Sequence, residues 1–551
     1  MKKIILCIAL LLTAYISYAH VGSPGVTFEG NAGPYKVIIS ITPPDVIPGT
    51  AMVTVYLEDG VKGVHVSAKP VYWSAGTDGT PRADLAKPSD TQPGRFDVKI
   101  WFMNIGTSSI EVMVDGPKGK GTVLVPVMAV STAKRSMPAS LGWGLLAMSI
   151  FLVLLMVTII SSSVGDSQLN PGEEMTKRLR RRRIFGSISA LVILILILWG
   201  GRAWWNSAAD SYNKFLYRPL RATTKVDAQN GTLTLTVDTP QLNNMGRSRR
   251  MNITRKMNYL VPDHGKLMHL FLIKAGDLDV FAHLHPRRLD SVTFVAKVPD
   301  LPAGTYWVYA DITRLSGFAE TIVDTLVVKE NIFHNTSLKT NVGPASDPDD
   351  TYYISNPVGS KNATRVGAAI CGLPGVETKL NDGSTAIWMQ SPGQQIKANE
   401  LTMLKFEILD PDHKPAKLEP YMGMMAHAVI LKDDGSVYIH LHPAGSYSMA
   451  SQKALLDRIA FHESLDKYLP QPAIFADSIN HFITRLNAMD ETQRNKLLMV
   501  NMPEMASAKD GSMTHQISFP YTFPQPGKYR IWIQAKRNGV ILNSAFDAEV
   551  K

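Results

Sequence analysis

Six of the fourteen histidines in this chain of 551 residues fall in two copies of one motif. Each copy has one histidine, then twelve or thirteen residues, then His-Leu-His-Pro. The histidines are His269, His283 and His285 in the first copy and His427, His440 and His442 in the second. Imidazoles that converge on a rigid element are common ligands of transition metals, so the motif predicts a metal site.

The spacing predicts that each histidine trio lies on one face of a β-hairpin. In the second copy Asp434-Gly435 is a favoured two-residue turn. Counting back from this turn pairs Val429 with His440 and His427 with His442. Paired residues and residues two apart point to the same face, so the trio should converge. The loop of the first copy is longer, so the pairing of its two strands is less well determined. The spacing of its three histidines still allows all of them to lie on one face.

Soft sulfur lies beside both trios, at Met268 in the first copy and at Met422, Met424 and Met425 in the second. Imidazole combined with thioether favours copper over calcium or magnesium. We therefore predict copper as the cofactor, with Met268 and Met425 as candidate ligands. His264 and His515 are possible additional ligands.

The same residues also have a structural interpretation. A His-x-His strand can form hydrogen-bonded pairs, and methionines often fill hydrophobic cores. Duplication copies structural residues as readily as ligands, so repetition alone does not decide between the two. The alternative to a metal-binding protein is a structural or protein-interaction module of the cell envelope.

His20 and His65 form a separate candidate copper site. Cleavage after Ala19 would make His20 the mature N-terminus, whose amine and imidazole can chelate copper, and His65 is the other histidine of its domain. A copper oxidoreductase built on His20 is a third hypothesis. The alternative is that cleavage sets the terminus and the histidine is incidental.

The two histidine motifs belong to an internal duplication. Residues 265–273 correspond to 423–431, residues 281–286 to 438–443, and residues 302–308 to 525–531. We predict one β domain over residues 222–330, a polar linker over 331–373 and a second β domain over 374–551. The second copy is longer because of a helical insertion over residues 446–512, in which Asp490 is a plausible N-cap.

Residues 20–135 alternate between apolar and polar types and are rich in β-branched residues, with Pro and Gly between the runs. This pattern predicts a third, exported β-sandwich. The predicted fold class is therefore mostly β, with three immunoglobulin-like β-sandwich domains, a two-helix transmembrane hairpin and the small helical insertion. Cys371 is the single cysteine after the signal peptide, so packing must hold these domains together without an intrachain disulfide.

The remaining segments predict membrane targeting. Residues 1–19 have the charged, apolar and small-residue regions of a signal peptide. Residues 141–161 and 184–205 are apolar enough to span a bilayer, and the loop 162–183 carries a cluster of Lys and Arg. Basic loops stay cytoplasmic, so the loop and the signal peptide both predict that all three β domains are exported.

The formal net charge of +10 includes this basic loop and does not indicate nucleic-acid binding, because no basic stretch is interleaved with aromatic residues. The chain also has no phosphate-binding loop and no nucleophile–base or paired-carboxylate motif, so we expect no enzyme activity.

The stretches HVGSPGVTFEG, DHGKLMHLFLI, AHLHP, LEPYMGMMAHAVIL and IHLHP resemble a family of bacterial envelope membrane proteins for which no activity is established. The N-terminal domain is similar to the YtkA-like and FixH-like β-sandwiches of envelope and copper-oxidase-associated proteins. The resemblance implies the fold and topology given above and adds support for copper.

These observations predict a membrane-anchored periplasmic protein of the inner membrane that handles copper by delivery, sensing or sequestration. The partners predicted are the lipid bilayer and other envelope or copper-enzyme assembly proteins.

Overall fold

A computed structural model describes residues 20–21, 25–58, 62–73, 75–76, 79–134, 137–238, 256–332, 346–362, 368–391, 393–460, 470–499 and 515–551. The predicted signal peptide, 1–19, lies outside the described residues. The structure is mostly β and contains two long apolar helices, which confirms the coarse fold class. The immunoglobulin-like assignment stays a prediction.

The N-terminal domain is a sandwich of two antiparallel sheets around one apolar core. Its sheets have the orders β2-β3-β4-β8-β7 and β10-β9-β5-β6. Strand β1 lies outside this domain and joins the sheet of the last domain. The strands are β1 (His20–Val21), β2 (Val26–Ala32), β3 (Tyr35–Thr42), β4 (Gly49–Leu57), β5 (His65–Tyr72), β6 (Asp84–Leu85), β7 (Lys87–Pro88), β8 (Arg95–Phe102), β9 (Gly106–Gly116) and β10 (Gly119–Ala129).

Two helices, α1 (Ala139–Val164) and α2 (Lys177–Phe215), form a separate compact unit over residues 131–217. Both are long and apolar enough to cross a membrane. Helix α2 begins seven residues before the predicted span, at Lys177, because Thr176 caps it by accepting a hydrogen bond from the backbone N–H of Leu179 at 3.3 Å. The basic residues therefore lie in the first turns of a helix and not in a loop.

The first repeat has two sheets. One has the order β11-β12-β17-β16, and the other has the order β13-β18-β14-β15-β20 with β19 also paired to β18. Its strands are β11 (Ala222–Asp227), β12 (Thr232–Val237), β13 (Leu260–Val261), β14 (His269–Lys274), β15 (Val280–Leu284), β16 (Arg287–Arg288), β17 (Thr293–Lys297), β18 (Gly304–Arg314), β19 (Ala319–Val328) and β20 (Thr351–Ile354). Strand β20 lies in the predicted linker, which is therefore not purely a linker. Pairing with β15 satisfies backbone groups that the edge of this sheet would otherwise expose.

The second repeat has sheets of order β21-β22-β23-β26 and β1-β25-β24-β27-β28. Its strands are β21 (Glu377–Lys379), β22 (Thr385–Trp388), β23 (Leu401–Leu409), β24 (Ala426–Lys432), β25 (Val437–Leu441), β26 (Gln516–Thr522), β27 (Gly527–Arg537) and β28 (Val540–Val550). The order β28-β27-β24-β25 matches β19-β18-β14-β15 of the first repeat, as expected for a duplication.

The insertion of the second repeat is helical, as predicted. Its helices are α3 (Met449–Ala460), α4 (Pro472–Asn487) and α5 (Glu491–Met499). Asp490 caps α5, because its carboxylate accepts a hydrogen bond from the backbone N–H of Gln493 at 2.9 Å. Residues 461–469 and 500–512 of the predicted insertion lie outside the described residues.

Cys371 is half-buried beside Asn356, and burial raises the pKa of its thiol to about 11. A thiol that stays protonated at neutral pH is a poor nucleophile and metal ligand. This environment suits a structural role for Cys371.

Candidate metal centre

Alternation along the two histidine hairpins separates a core face from a histidine face. In β14, Leu270 and Leu272 belong to the core of the first repeat, whereas His269 and Phe271 point to the other side of the sheet. The pairing of Val429 with His440 in the second repeat is the predicted one. In the first repeat Phe271 pairs with His283, so the parity predicted for both trios is confirmed.

The histidine faces of the two repeats pack against each other, which the sequence did not reveal. Part of this interface is an apolar cluster that includes Phe271 and Phe281 from the first repeat and Val429, Tyr438 and Trp532 from the second. Further along the same strands, the interface contains seven buried histidines: His264, His269, His283, His285, His427, His440 and His442. The two predicted sites are therefore one continuous cluster.

The two trios have nearly the same geometry. In the first repeat the ring centroids are 5.4 Å apart for His269–His283, 5.2 Å for His269–His285 and 4.5 Å for His283–His285. The equivalent separations among His427, His440 and His442 are 5.5, 5.3 and 4.6 Å. Each pair of distances differs by 0.1 Å, so both copies keep one arrangement of imidazoles.

Two groups of three histidines have ring nitrogens within 4.8 Å of one another, close enough to hold one metal ion each. One group is the first trio. The other is His264, His427 and His442, so the first repeat contributes a ring to the second repeat's site. His440 lies between the groups, with its ring centroid 5.1 Å from that of His269 and 4.6 Å from that of His442.

Groups behind the rings orient several of the histidines. His283 Nδ1 lies 2.8 Å from Gln534 Oε1, His285 Nδ1 lies 3.1 Å from Asp350 and His440 Nδ1 lies 3.6 Å from Asp311. Carboxylate and amide oxygens behind an imidazole fix its orientation and raise its basicity, as in many metal sites. This arrangement leaves the Nε2 atoms of His285 and His440 without hydrogen-bond partners.

The contact between His269 and His283 resembles a pair of metal ligands. Gln534 Nε2 donates to Thr351 and Asn543, so Gln534 Oε1 accepts the proton of His283 Nδ1. Likewise His269 Nε2 faces the carbonyl oxygen of Asp263 at 3.2 Å and must carry a proton to donate. In the neutral rings, the lone pairs of His269 Nδ1 and His283 Nε2 then face each other at 3.1 Å. Two nitrogens about 2.0–2.1 Å from one tetrahedral ion lie roughly 3.3 Å apart, so this contact has nearly the spacing of two ligands of one ion.

Burial keeps these rings neutral. Desolvation lowers the pKa values of His269, His283, His427 and His442 well below the usual range for histidine, and the neighbouring imidazoles lower them further. The pKa of His264 is lowered for the same two reasons, although Asp263 opposes the shift. Only neutral imidazole binds metal, so these five histidines are in their ligand form at neutral pH.

A pair of tight turns and the inserted helices cover the cluster. A Cβ added at Gly265 would meet Leu486 of α4 at 2.6 Å, and one added at Gly423 would meet Leu498 at 2.8 Å, so helix side chains lie directly on both turns. Arg494 of α5 is paired with the buried Asp349 at 3.2 Å. The insertion thus closes the site from solvent.

The other predicted ligands lie elsewhere. Met268 directly precedes His269 and lies in the core of the first repeat, on the opposite face, because adjacent strand residues alternate. Met425 lies two residues before His427, just before β24 begins at Ala426, and packs on the core of the second repeat. The prediction of both methionines as ligands does not agree with this packing. His515 is 3.1 Å from Glu407 in the other sheet of its domain.

His65 is exposed on β5 of the N-terminal domain, where it pairs with Asp115. The backbone of His20 pairs instead with Val437 in the sheet of the last domain. The two halves of the predicted terminal copper site therefore belong to different sheets.

Sequence reasoning missed the groups behind the rings. Asp347 and Asp350 lie in the DPDD stretch that was assigned to the linker, and with His285 they form a third group able to hold a metal. A run of acidic residues before a short β pattern was the available signal. The signal for Asp311 and Gln534 was a polar residue with an apolar residue on each side of it in a strand.

A family model described as a domain of unknown function (DUF8832) matches residues 224–330 and 379–468. These segments fall in the two repeats and support the duplication. No curated protein matches the chain in sequence.

Among solved structures, the chain is similar to latent PorU from Porphyromonas gingivalis, with 10% identity and a TM-score of 0.12, over 91% of this chain and 32% of that one. It is also similar to Escherichia coli alpha-2-macroglobulin activated by porcine elastase, with 8% identity and a TM-score of 0.17, over 96% of this chain and 43% of that one. A third similar structure is a putative membrane anchored protein from Corynebacterium diphtheriae, with 9% identity and a TM-score of 0.12, over 95% of each chain. The chain spans less than half the length of the first two, and none of these similarities carries an argument about function.

Proposed function

We propose that this protein is a membrane-anchored periplasmic metal-binding protein that handles copper through the histidine cluster between its two repeats. The observation that carries the proposal is the set of buried ring nitrogens on His285, His427, His440 and His442 that have no hydrogen-bond partner among the residues that the structure describes. An unpaired buried polar group costs roughly 1–3 kcal/mol, and several such groups aimed at one place are difficult to explain by folding alone. Cations bound in the two groups of histidines would satisfy them.

The donor set favours a late first-row transition metal. Imidazole suits copper, zinc, nickel and iron, and the general order of affinity places Cu²⁺ above the other divalent ions. The argument for copper from Met268 and Met425 falls away, because both lie in cores. Copper remains the proposal on the strength of the imidazole set.

The function is tested by the metal content of the full-length protein in detergent, purified with a tag that lacks histidine. We expect bound copper, and we expect His283→Ala and His440→Ala each to weaken copper binding by about tenfold or more, the scale of effects known even from residues behind metal ligands. Metal per chain and affinity are measured by mass spectrometry and by competition with a chelator.

His481→Ala is the matched control, since His481 is exposed on α4 and should leave copper binding unchanged. Both hairpin variants also leave a cavity, because the histidine faces are buried between repeats, so unfolding is followed in parallel. If the unmodified protein binds no copper, zinc or nickel, the structural or interaction-module hypothesis replaces this one.

The membrane hairpin supports an anchoring role, with all β domains on the periplasmic side of the inner membrane and the basic residues inside. In a Cys371→Ser background, a thiol reagent that cannot cross membranes should label Thr91→Cys, but not Gln168→Cys, in intact spheroplasts. Both positions are exposed, and lysed cells provide the control in which both react. Labelling of Gln168→Cys alone in intact spheroplasts would reverse the topology.

The proposed partners are the lipid bilayer and envelope or copper-enzyme assembly proteins that would exchange the metal. Catalysis forms no part of the proposal. The likeness of the N-terminal domain to YtkA-like and FixH-like sandwiches stays a prediction.

A further inference from the structure

The two repeats are related by an approximate twofold symmetry in which each supports the other's histidines. Asp311 of β18 and Gln534 of β27 occupy equivalent strand positions, five residues after Tyr306 and Tyr529. Asp311 lies behind His440 of the second repeat, and Gln534 lies behind His283 of the first. Because His283 and His440 are themselves equivalent, each repeat orients the same histidine of the other repeat.

The turns that precede the two hairpins follow the same symmetry. In the turn Asp263–Lys266 the left-handed residues are His264 and Gly265, with φ of 50° and 80°. In the turn 421–424 they are Met422 and Gly423, with φ of 52° and 78°. The end residues of each turn exchange two backbone hydrogen bonds. His264 and Met422 therefore occupy one structural position in the two copies.

His264 reaches across to the second repeat's trio. Its ring centroid is 4.5 Å from that of His442 and 5.6 Å from that of His427. If the exchange holds for both turns, the side chain of Met422 faces the first trio.

Two observations on Met422 agree with this placement. It is 1% exposed, yet it belongs to none of the four hydrophobic clusters in the part of the chain that the structure describes. Its neighbour Tyr421 donates a hydrogen bond to the carbonyl oxygen of Asp349 at 2.8 Å, next to the Asp350 that holds His285. The turn thus lies against the first trio's surroundings.

From this symmetry we infer that the cluster is a binuclear centre with two chemically different sites. One ion is held by His264 together with His427 and His442 of the second trio, and His440 lies between the two sites. The other is held by the first trio, His269, His283 and His285, together with Met422. The inference rests on the proposed metal-binding function and extends it.

The two donor sets favour different forms of copper. A site made of imidazoles alone suits Cu²⁺, whereas thioether sulfur selects Cu⁺. The turn residue is His264 in the first copy and Met422 in the second. Because of this difference, the binuclear centre has one site for each oxidation state of copper.

The first test is the stoichiometry of the full-length protein in detergent after copper loading and removal of weakly bound metal. We expect two ions per chain, one in His285→Ala, one in His442→Ala and none in the double variant. A single ion in the unmodified protein would overturn the binuclear centre while leaving the proposed function intact. No bound ion would overturn both.

The second test uses Cu⁺ and a competing chromophoric chelator. Met422→Leu keeps the volume and burial of the side chain but removes the sulfur, so we expect the affinity of one of the two Cu⁺ ions to fall by about tenfold or more. Met268→Leu is the matched control, because Met268 is a buried methionine of the core. If the two variants bind Cu⁺ equally, Met422 is not a ligand and the assignment of the first site is wrong.

Discussion

His427→Leu is expected to make the metal-free protein more stable and to weaken metal binding at the same time. Both ring nitrogens of His427 are buried without hydrogen-bond partners. Replacing the ring by an apolar side chain of similar size removes their desolvation cost, worth about 1–3 kcal/mol. It also removes one ligand, so copper affinity should fall by about tenfold or more. Unfolding in the presence of a chelator and metal content measure the two effects.

His283→Leu is the matched comparison, because this ring is equally buried but its Nδ1 atom already has a hydrogen-bond partner. It bonds to Gln534 at 2.8 Å and stacks on Phe271 with ring centroids 4.2 Å apart. We expect this variant to lose stability without metal, by about 1–3 kcal/mol. A metal-free His427→Leu protein less stable than the unmodified one would show that His427 serves the fold. Opposite signs for the two variants would instead show that the unsatisfied ring of His427 costs stability in the metal-free fold, whereas the hydrogen bond of His283 stabilises it.

Acid is expected to destabilise the metal-free protein steeply as the pH falls below about 6.5. The pKa values of five cluster histidines are lowered by burial and by their neighbours. In the unfolded chain each would titrate near 6.5. Below that pH the unfolded state binds protons that the folded state does not bind. The free energy of unfolding therefore has its full value above a pH of about 6.5 and falls as the pH drops. Each such histidine contributes up to about 1.4 kcal/mol per pH unit.

Unfolding by heat or denaturant at several pH values, with a chelator present, measures this slope. Removing one titrating ring in His427→Leu should make the slope shallower, and bound copper should oppose acid unfolding until protons displace the metal. Exposed His481 provides a second control, since His481→Ala should not alter the slope. Stability that stays constant or rises toward pH 5 would contradict the buried neutral state of the cluster.

Several features of this protein were predictable from sequence because they depend on local rules. The period of two in a strand, together with one tight turn, was enough to place His427, His440 and His442 on one face. The hydrophobic runs revealed two helices of membrane-spanning length. Asp490 before a helical pattern was enough to identify a cap. Each inference uses residues within a few positions of one another, where backbone geometry leaves few choices.

The tertiary structure decided what those faces meet. Strands such as β14 and β24 are apolar on both sides, with Leu270 and Ala428 facing their own cores and Phe271 and Val429 facing the other repeat. That pattern signals a strand buried on both faces but does not identify its partner. Burial of the second apolar face brings the trios together, adds His264 to the second site and leaves Met268 in a core. The same packing turns DPDD from a polar linker into support for His285, because contacts between distant segments follow from which surfaces must leave water.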